Sequence, residues 1–137
     1  MSVVLDTNVV SAILHRDPRA LAHLAQHEPG DVFLTSPVAA EIHFGLERLP
    51  EGSRRRVLLT REYRRLRDAV EWSDWSEAAA ETFGRLKAAL QRQGQPIEDM
   101  DVAIASIAVS LGAAVATRNT RHLGRVGAVV VEDWSAD

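Results

Sequence analysis

Short runs of apolar, mostly β-branched residues alternate along this chain with longer segments of helical periodicity. This alternation is typical of domains in which helices connect the strands of a mainly parallel sheet. The predicted strands span residues 3–5, 32–35, 69–72, 114–117 and 128–131. The predicted helices span residues 8–14, 19–27, 37–49, 54–68, 76–93 and 99–111. The sequence therefore predicts an α/β fold around a sheet of about five strands.

Length and composition favour a single domain over residues 1–137, with 46% apolar residues available for a core. The chain has no cysteine, so disulfides and thiolate metal sites are excluded. No apolar run approaches the ~20 residues of a membrane span, and the first strand begins at Val3 without room for a leader. We expect a cytoplasmic protein that does not enter the membrane.

The charges argue against a generally basic nucleic-acid binder, because the net charge is -3. Lys87 is nevertheless the only lysine among 16 basic residues, and seven of the arginines lie between residues 54 and 67. Arginine suits phosphate, but a GC-rich coding sequence produces the same bias. The arginine-rich helix is therefore either a solvated face or a surface that contacts phosphates.

Asp6, in the segment VVLDTNVV, separates the first predicted strand from the first predicted helix. Asp is preferred at helix N-caps, because its carboxylate accepts hydrogen bonds from amides of the first turn. In parallel sheets, ligands bind beyond the carboxyl ends of the strands, and Asp6 follows such an end. Asp6 is therefore either a helix cap or a ligand-binding acid.

Two further acids are expected near the same edge. Glu41 borders the apolar stripe of its helix, where it is either a boundary acid answering the helix dipole or a site residue. Asp101 heads a stripe that is predicted to be buried as far as Leu111. Asp99 lies on the opposite side of that helix and is predicted to be its N-cap.

Asp6, Glu41 and Asp101 come from three distant segments of the chain. Carboxylates that are brought together repel one another unless a cation lies between them. A site of oxygen ligands favours a hard ion such as Mg²⁺ or Mn²⁺. Asn119 follows the fourth strand and adds a neutral oxygen at the same edge. The sequence thus predicts a divalent-metal site.

Three segments together resemble the PIN-domain ribonucleases and, among them, the VapC-type toxins of type II toxin-antitoxin pairs. The segments are VVLDTN, SPVAAEIHFGL and PIEDMDVAIASIAVSLGAAVATRNTRHLGRVGAVVVEDW. The last is the most specific, because an acid heading an Ala/Ile-rich helix is followed by a strand, by TRNT, and by a final strand closed by Trp134. The resemblance spans essentially the whole chain.

The resemblance implies a three-layer α/β/α sandwich and metal-dependent cleavage of structured RNA such as tRNA or rRNA. By position, the catalytic residues are Asp6, Glu41, Asp101 and Asn119. Asp6 and Asp101 are expected to hold Mg²⁺, for which Mn²⁺ can substitute, and Glu41 is expected either to hold a metal-bound water or to act as its base. Many family members carry Asp where this chain has Asn119, which leaves open whether one ion binds or two.

Smaller roles are expected for other polar residues of the crevice. Four are predicted to support the carboxylates: Thr7, Asn8, Asp99 and Thr117. Local capping is the alternative for Thr7, Asn8 and Thr117. Arg118 and Arg121 either hold substrate phosphate or are solvated loop charges.

The resemblance also implies two protein partners, a second copy of the chain and a small VapB-like antitoxin. Leu21 and Leu24 beside the first helix offer a groove for a partner helix, or they belong to the core. The five histidines are predicted to be surface or boundary residues, because none shows ligand spacing with an acid. The three tryptophans are predicted to anchor the core or an interface.

Two other classes of protein are alternatives. Phosphotransfer enzymes also place Asp at a strand end. A dehalogenase-like phosphatase, however, has a second acid at the position where this chain has Asn8. A receiver domain needs a lysine at a strand end, whereas Lys87 lies in the middle of a predicted helix. A binding module that keeps the fold without catalysis is favoured only by Asn119. Three crowded acids argue against it, because unused carboxylates cost stability.

Overall fold

The computed structural model describes residues 1–136 and contains five strands and seven helices within them. The strands are β1 (Val3–Leu5), β2 (Val32–Thr35), β3 (Glu71–Ser73), β4 (Ala114–Thr117) and β5 (Val131–Asp133). The helices are α1 (Thr7–Leu14), α2 (Pro18–Ala25), α3 (Ser36–Glu47), α4 (Arg54–Ala69), α5 (Glu77–Arg92), α6 (Asp99–Leu111) and α7 (Thr120–Leu123). A 3-10 turn, Pro29–Asp31, precedes β2.

The five strands form one sheet in the order β3-β2-β1-β4-β5, and every neighbouring pair is parallel. Consecutive residues of a strand face opposite sides of a sheet, yet Val3, Val4 and Leu5 are all fully buried. Both faces of the central strand are therefore covered. This is the predicted α/β/α arrangement, and it brings the carboxyl ends of β1, β2 and β4 to one edge.

Local sequence explains most of the element boundaries. Asp17, Ser53 and Ser76 cap α2, α4 and α5, each accepting a hydrogen bond from a backbone amide of the first turn. Gly112 ends α6 with a φ of 66°, a conformation that glycine adopts without strain. These signals are local, and the corresponding helices were predicted to within a few residues.

The carboxyl-terminal part of the chain departs from the prediction in two places. The last strand was expected at residues 128–131, but β5 begins at Val131 and extends into Glu132 and Asp133. The preceding residues form a turn, in which the Val129 amide donates to the Val126 carbonyl. Helix α7 was not predicted, because four residues are too few to show helical periodicity.

Two expectations about α6 were also wrong. Glu98 rather than Asp99 occupies the N-cap, and the Asp99 carboxylate instead lies 3.0 Å from the Lys87 ammonium on α5. Leu111 is 39% exposed, so the buried stripe ends before it. The rest of the predicted stripe, Ile104, Ala105 and Ala108, is buried, and so are the residues between them on the other faces of the helix.

Trp134, the residue after β5, packs against α2. This side chain is fully buried, and the His23 ring stacks on it at a centroid distance of 5.4 Å. His27 makes a second ring contact with Trp134. Trp134 is thus the predicted core anchor, whereas Trp75 is 44% exposed. Within residues 1–136, each helix is too short or too polar to span a lipid bilayer.

Candidate active site

The site begins where β1 and β4 end side by side. Leu5 pairs with Ala116 in the sheet, and the Asp6 amide donates to the Ala116 carbonyl over 2.9 Å. Thr117 is the next residue and the last of β4, so Asp6 and Thr117 lie side by side at the carboxyl edge of the sheet. This register, and not sequence proximity, brings together two residues that are 111 positions apart.

Asp6 is both a helix cap and a pocket residue, so the two interpretations of the sequence are compatible. Its Oδ1 accepts from the Thr7 amide over 2.7 Å, and its Oδ2 accepts from the Thr117 hydroxyl over 2.7 Å. The residue is only 6% exposed. Burial raises the pKa of Asp6, the two hydrogen bonds oppose that shift, and the nearby charge of Glu41 adds to it.

Glu41 lies in the second turn of α3 and reaches the same place from the other side. The Thr7 hydroxyl donates a short hydrogen bond to Oε1 of Glu41. Thr7 therefore joins two acids, because its amide contacts Asp6 and its hydroxyl contacts Glu41. The predicted boundary position of Glu41 is confirmed, since its residue is partly exposed.

Asp101 projects from the first turn of α6, and its side chain is 22% exposed. Burial raises the pKa of Asp101, and the charges of Asp6 and Glu41 raise it further. The three acids are therefore close enough to feel one another's charge. His122 opposes the shift, because its Nδ1 lies 3.6 Å from Oδ2 of Asp101.

His122 is the site residue that sequence reasoning missed. Its predicted surface or boundary position is confirmed, because its side chain is 41% exposed, but it also lines the pocket from α7. The missed helix explains the missed residue, because α7 turns the segment after Asn119 back toward α6. The sequence signal for its role is its position three residues after Asn119, which is itself predicted to lie at the carboxyl edge of the sheet.

A network of amide and hydroxyl groups holds the loop after β4. The Asn8 side chain accepts from the Arg118 amide over 3.0 Å and donates to the Thr117 hydroxyl over 3.3 Å. The Thr117 hydroxyl also accepts from the Asn119 amide over 3.0 Å. The Thr117 hydroxyl has one proton, and Asp6 Oδ2 at 2.7 Å is a closer acceptor for it than the Asn119 carbonyl at 3.3 Å.

Asn119 has a structural role that the sequence did not indicate. Its Oδ1 accepts from the Arg121 amide over 3.3 Å and so caps α7. The residue still lines the pocket. Arg118 and Arg121 are exposed and do not line the pocket. Asp99 also lies outside the pocket, where its carboxylate forms an ion pair with Lys87. The support that was predicted from Asp99 therefore has no geometric basis.

Together these side chains enclose a polar pocket of about 160 Å³. Its lining comprises Asp6, Thr7, Asn8, Glu41, Asp101, Asn119, His122 and Leu123. The donor set, three carboxylates and an amide oxygen, has the chemistry that Mg²⁺ and Mn²⁺ prefer. Within residues 1–136, no three His, Cys, Asp or Glu side chains already converge as a complete ligand cluster. Hydrogen bonds to Thr7 and Thr117 hold Asp6 and Glu41 instead, and His122 lies beside Asp101.

The comparison with protein families identifies this architecture. A PIN-domain model matches residues 3–129. The chain belongs to the PIN-domain family. This PIN domain is 30% identical to the tRNA(fMet)-specific endonuclease VapC of Shigella flexneri over 135 residues, which cover 98% of this chain and 99% of that protein.

Solved structures agree with that assignment. DNA-bound VapBC from Salmonella typhimurium superposes with a TM-score of 0.85 at 25% identity, and the match covers 98% of each chain. VapBC-1 from nontypeable Haemophilus influenzae gives a TM-score of 0.83 at 26% identity, covering 99% of this chain and all of that one. The predicted family, a PIN-domain ribonuclease of the VapC type, and the predicted fold are confirmed.

Proposed function

We propose that this PIN domain is a metal-dependent endoribonuclease toxin that cleaves structured RNA such as tRNA or rRNA. The observation that carries the proposal is that Asp6, Glu41 and Asp101 line one polar pocket at the carboxyl edge of the sheet. The pKa values support it: beyond the effect of burial, the charge of Glu41 raises the pKa of Asp6, and the charges of Asp6 and Glu41 raise the pKa of Asp101. Such repulsion is unfavourable unless a cation offsets it.

Asp6 and Asp101 are the residues that would hold Mg²⁺, with Mn²⁺ as a substitute. When bound, the ion would offset the charge that develops on the phosphate under attack and make water a better nucleophile. Thr117 and Thr7 orient the Asp6 carboxylate through the hydrogen bonds described above, and His122 contacts the Asp101 carboxylate. Asn119 is the fourth polar group at the edge, and its amide oxygen is shared with the cap of α7.

Glu41 is the general base of the proposed reaction. Water attacks phosphorus, its proton passes to the Glu41 carboxylate, and the bond between phosphorus and the leaving ribose oxygen breaks. The leaving oxygen then takes up a proton from solvent. The Thr7 hydroxyl holds Glu41 beside Asp6 before substrate arrives, so the base is oriented in advance.

The proposed partners follow from the relatives. The S. flexneri relative is named for cleavage of tRNA(fMet), which makes tRNA the first substrate to test. The solved relatives are VapBC pairs, so we assign a VapB-like antitoxin to this chain as its inhibitor. We further propose that the chain forms a single domain and that two copies form a homodimer. The proposed location is the cytoplasm, where RNA and antitoxin are available.

The test is cleavage of total tRNA and ribosomal RNA by purified protein with Mg²⁺, Mn²⁺ or EDTA. Wild type is compared with Asp6→Asn, Asp101→Asn and a matched control, Asp99→Asn, whose acid lies two residues from Asp101 but outside the pocket. Cuts at defined sites should require metal, persist in the control and be absent from the other two variants. If all four proteins behave alike and calorimetry detects no metal binding, the chain is a binding module rather than a nuclease.

A further inference from the structure

Helix α4 carries the positive charge of a molecule that is otherwise acidic. Seven arginines and two acids lie between Arg54 and Ala69, which gives the helix a net charge of +5 and leaves -8 for the rest of the chain. Three of the arginines form its first turn, where the helix dipole disfavours positive charge, and no acid of that turn offsets them. The unfavourable interaction between these arginines and the helix dipole is therefore confined to one helix.

The arginines of α4 divide into two groups. Four have local partners: Arg56 binds the Leu49 carbonyl and Glu47, and Arg67 lies over the Trp72 ring. Arg55 contacts the His15 ring, and Arg65 pairs with Glu62 over 3.6 Å. Arg54, Arg61 and Arg64 are exposed, and no ion pair or hydrogen bond engages their side chains within residues 1–136.

These three unpaired arginines border two adjoining surface concavities of about 430 and 490 Å³. The concavities share Gly52, Val57 and Arg61, with Arg64 in one and Arg54 in the other. Residues 54 to 64 extend about 15 Å along the helix axis, so the face presents a row of charges rather than a site for one anion. Arg61 and Arg64 lie one turn apart and repel each other unless an anion is present.

A groove connects this helix with the acidic pocket. It has a volume of about 240 Å³ and reaches from Thr7 and Glu41, which both line the pocket, to Arg55 and Leu59 in the first half of α4. Arg55 stands at its outer end, with its guanidinium 3.4 Å from the His15 ring. A polymer whose reactive group lies in the pocket can therefore extend along the groove toward α4.

From these observations we infer that Arg54, Arg61 and Arg64 form an RNA-binding site outside the catalytic pocket, which holds backbone phosphates of the substrate. The inference rests on the proposed function, because it names where the same RNA is held. An acidic pocket repels a polyanion, so affinity has to come from positive charge elsewhere on the molecule. The planar guanidinium group pairs with phosphate through two parallel hydrogen bonds.

The test measures binding of fluorescently labelled total tRNA by anisotropy in EDTA, at several salt concentrations. Arg61→Gln/Arg64→Gln is compared with Arg85→Gln/Arg92→Gln, which removes the same charge from exposed positions on α5. We expect the α4 variant to bind about tenfold more weakly and to lower the slope of log Kd against log salt by about 1.5, since each phosphate contact contributes roughly 0.7 to 0.9. The α5 variant should match wild type.

Two results would overturn the inference. Equal loss in both variants would show that only net charge matters. Unchanged tRNA binding by the α4 variant, with lost binding of poly-L-glutamate, would assign the face to an acidic polypeptide instead. Because EDTA prevents metal-dependent cleavage, this assay is separate from the nuclease test. Wild type that binds tRNA through α4 but cleaves no RNA would refute the proposed function and leave the inference intact.

Discussion

The acidic pocket and helix α4 are both clusters of like charge, but the fold treats them in opposite ways. In the pocket, Asp6 is 6% exposed and each of its oxygens accepts a hydrogen bond. On α4, Arg61 and Arg64 are exposed and their guanidinium groups are unbound within the described chain. Buried charge with fixed geometry suits chemistry at one atom, whereas exposed mobile charge suits attraction over a distance.

The largest expected effect separates the two clusters by kinetics. Asp101→Asn should lower kcat on RNA by about a thousandfold or more, which corresponds to roughly 4 kcal/mol of transition-state stabilisation. Arg61→Gln/Arg64→Gln should raise KM and leave kcat nearly unchanged, because those residues are far from the reacting phosphate. Steady-state cleavage assays measure both. A fall in kcat with the arginine variant would erase the distinction between the clusters.

The next effect tests whether fixed geometry matters in the pocket. Thr117→Val removes the hydroxyl that orients Asp6 at nearly constant volume. We expect Mn²⁺ affinity, measured by calorimetry, to fall by about 10- to 100-fold. Thr35→Val is the matched control, since Thr35 is fully buried at the end of the neighbouring strand β2 and its hydroxyl has no partner within residues 1–136. Equal losses in both would indicate a general packing defect.

A smaller effect concerns pH and stability without metal. The pKa values of Asp6 and Asp101 are raised above 3.8 in the folded protein, so the protonated carboxyls favour folding. This contribution to the stability of the fold is fully present at pH values below the ordinary pKa of an aspartate. It is lost as the pH rises through the raised pKa values of the two groups. Asp101→Asn, which is neutral at every pH, should therefore melt about 2–4 °C above wild type at pH 7.5 and closer to it at pH 4.

Scanning calorimetry in EDTA and in Mg²⁺ checks this result. The ion should raise the Tm of wild type at pH 7.5 and have less effect on the variant, because the bound cation replaces the missing proton. If Asp101→Asn is destabilising at both pH values, the carboxylate is a structural group. Repulsion between carboxylates would then not be a property that distinguishes the pocket from α4.

The smallest effect is on the stability contributed by α4. Arg61→Gln/Arg64→Gln should change the free energy of unfolding by less than about 0.5 kcal/mol, because both side chains are exposed and their mutual repulsion is lost. Arg56→Gln should cost about 1 kcal/mol, since it removes the hydrogen bonds to Leu49 and Glu47. Urea titration distinguishes the two. A large loss from the double variant would mean that the free arginines are structural.

Much of the site could be predicted because it follows from rules that act at short range. A β-branched run places Asp6 at a strand end, and the apolar stripe of α6 places Asp101 at its head. Parallel pairing then brings strand ends to one edge. The convergence of Asp6, Glu41 and Asp101 was therefore predictable without any knowledge of the contacts.

The rest depended on contacts between segments that no local pattern records. His122 reaches Asp101 only because α7 turns the chain, and α7 spans just four residues. Asp99 was predicted to be a cap because Asp is a preferred cap residue, but the ion pair with Lys87 draws it elsewhere. The final strand begins three residues later than its apolar run suggested, because pairing with β4 sets its register.

The strand order has a consequence for synthesis of the protein. β1 is made first, yet it lies in the middle of the sheet, and its neighbour β4 is made after more than a hundred further residues. Asp6 cannot meet Thr117 until both strands have left the ribosome. A nascent chain, or one truncated before β4, therefore holds no assembled nuclease pocket. The activity of this protein therefore cannot appear before β4 and the pocket residues that follow it have been synthesised.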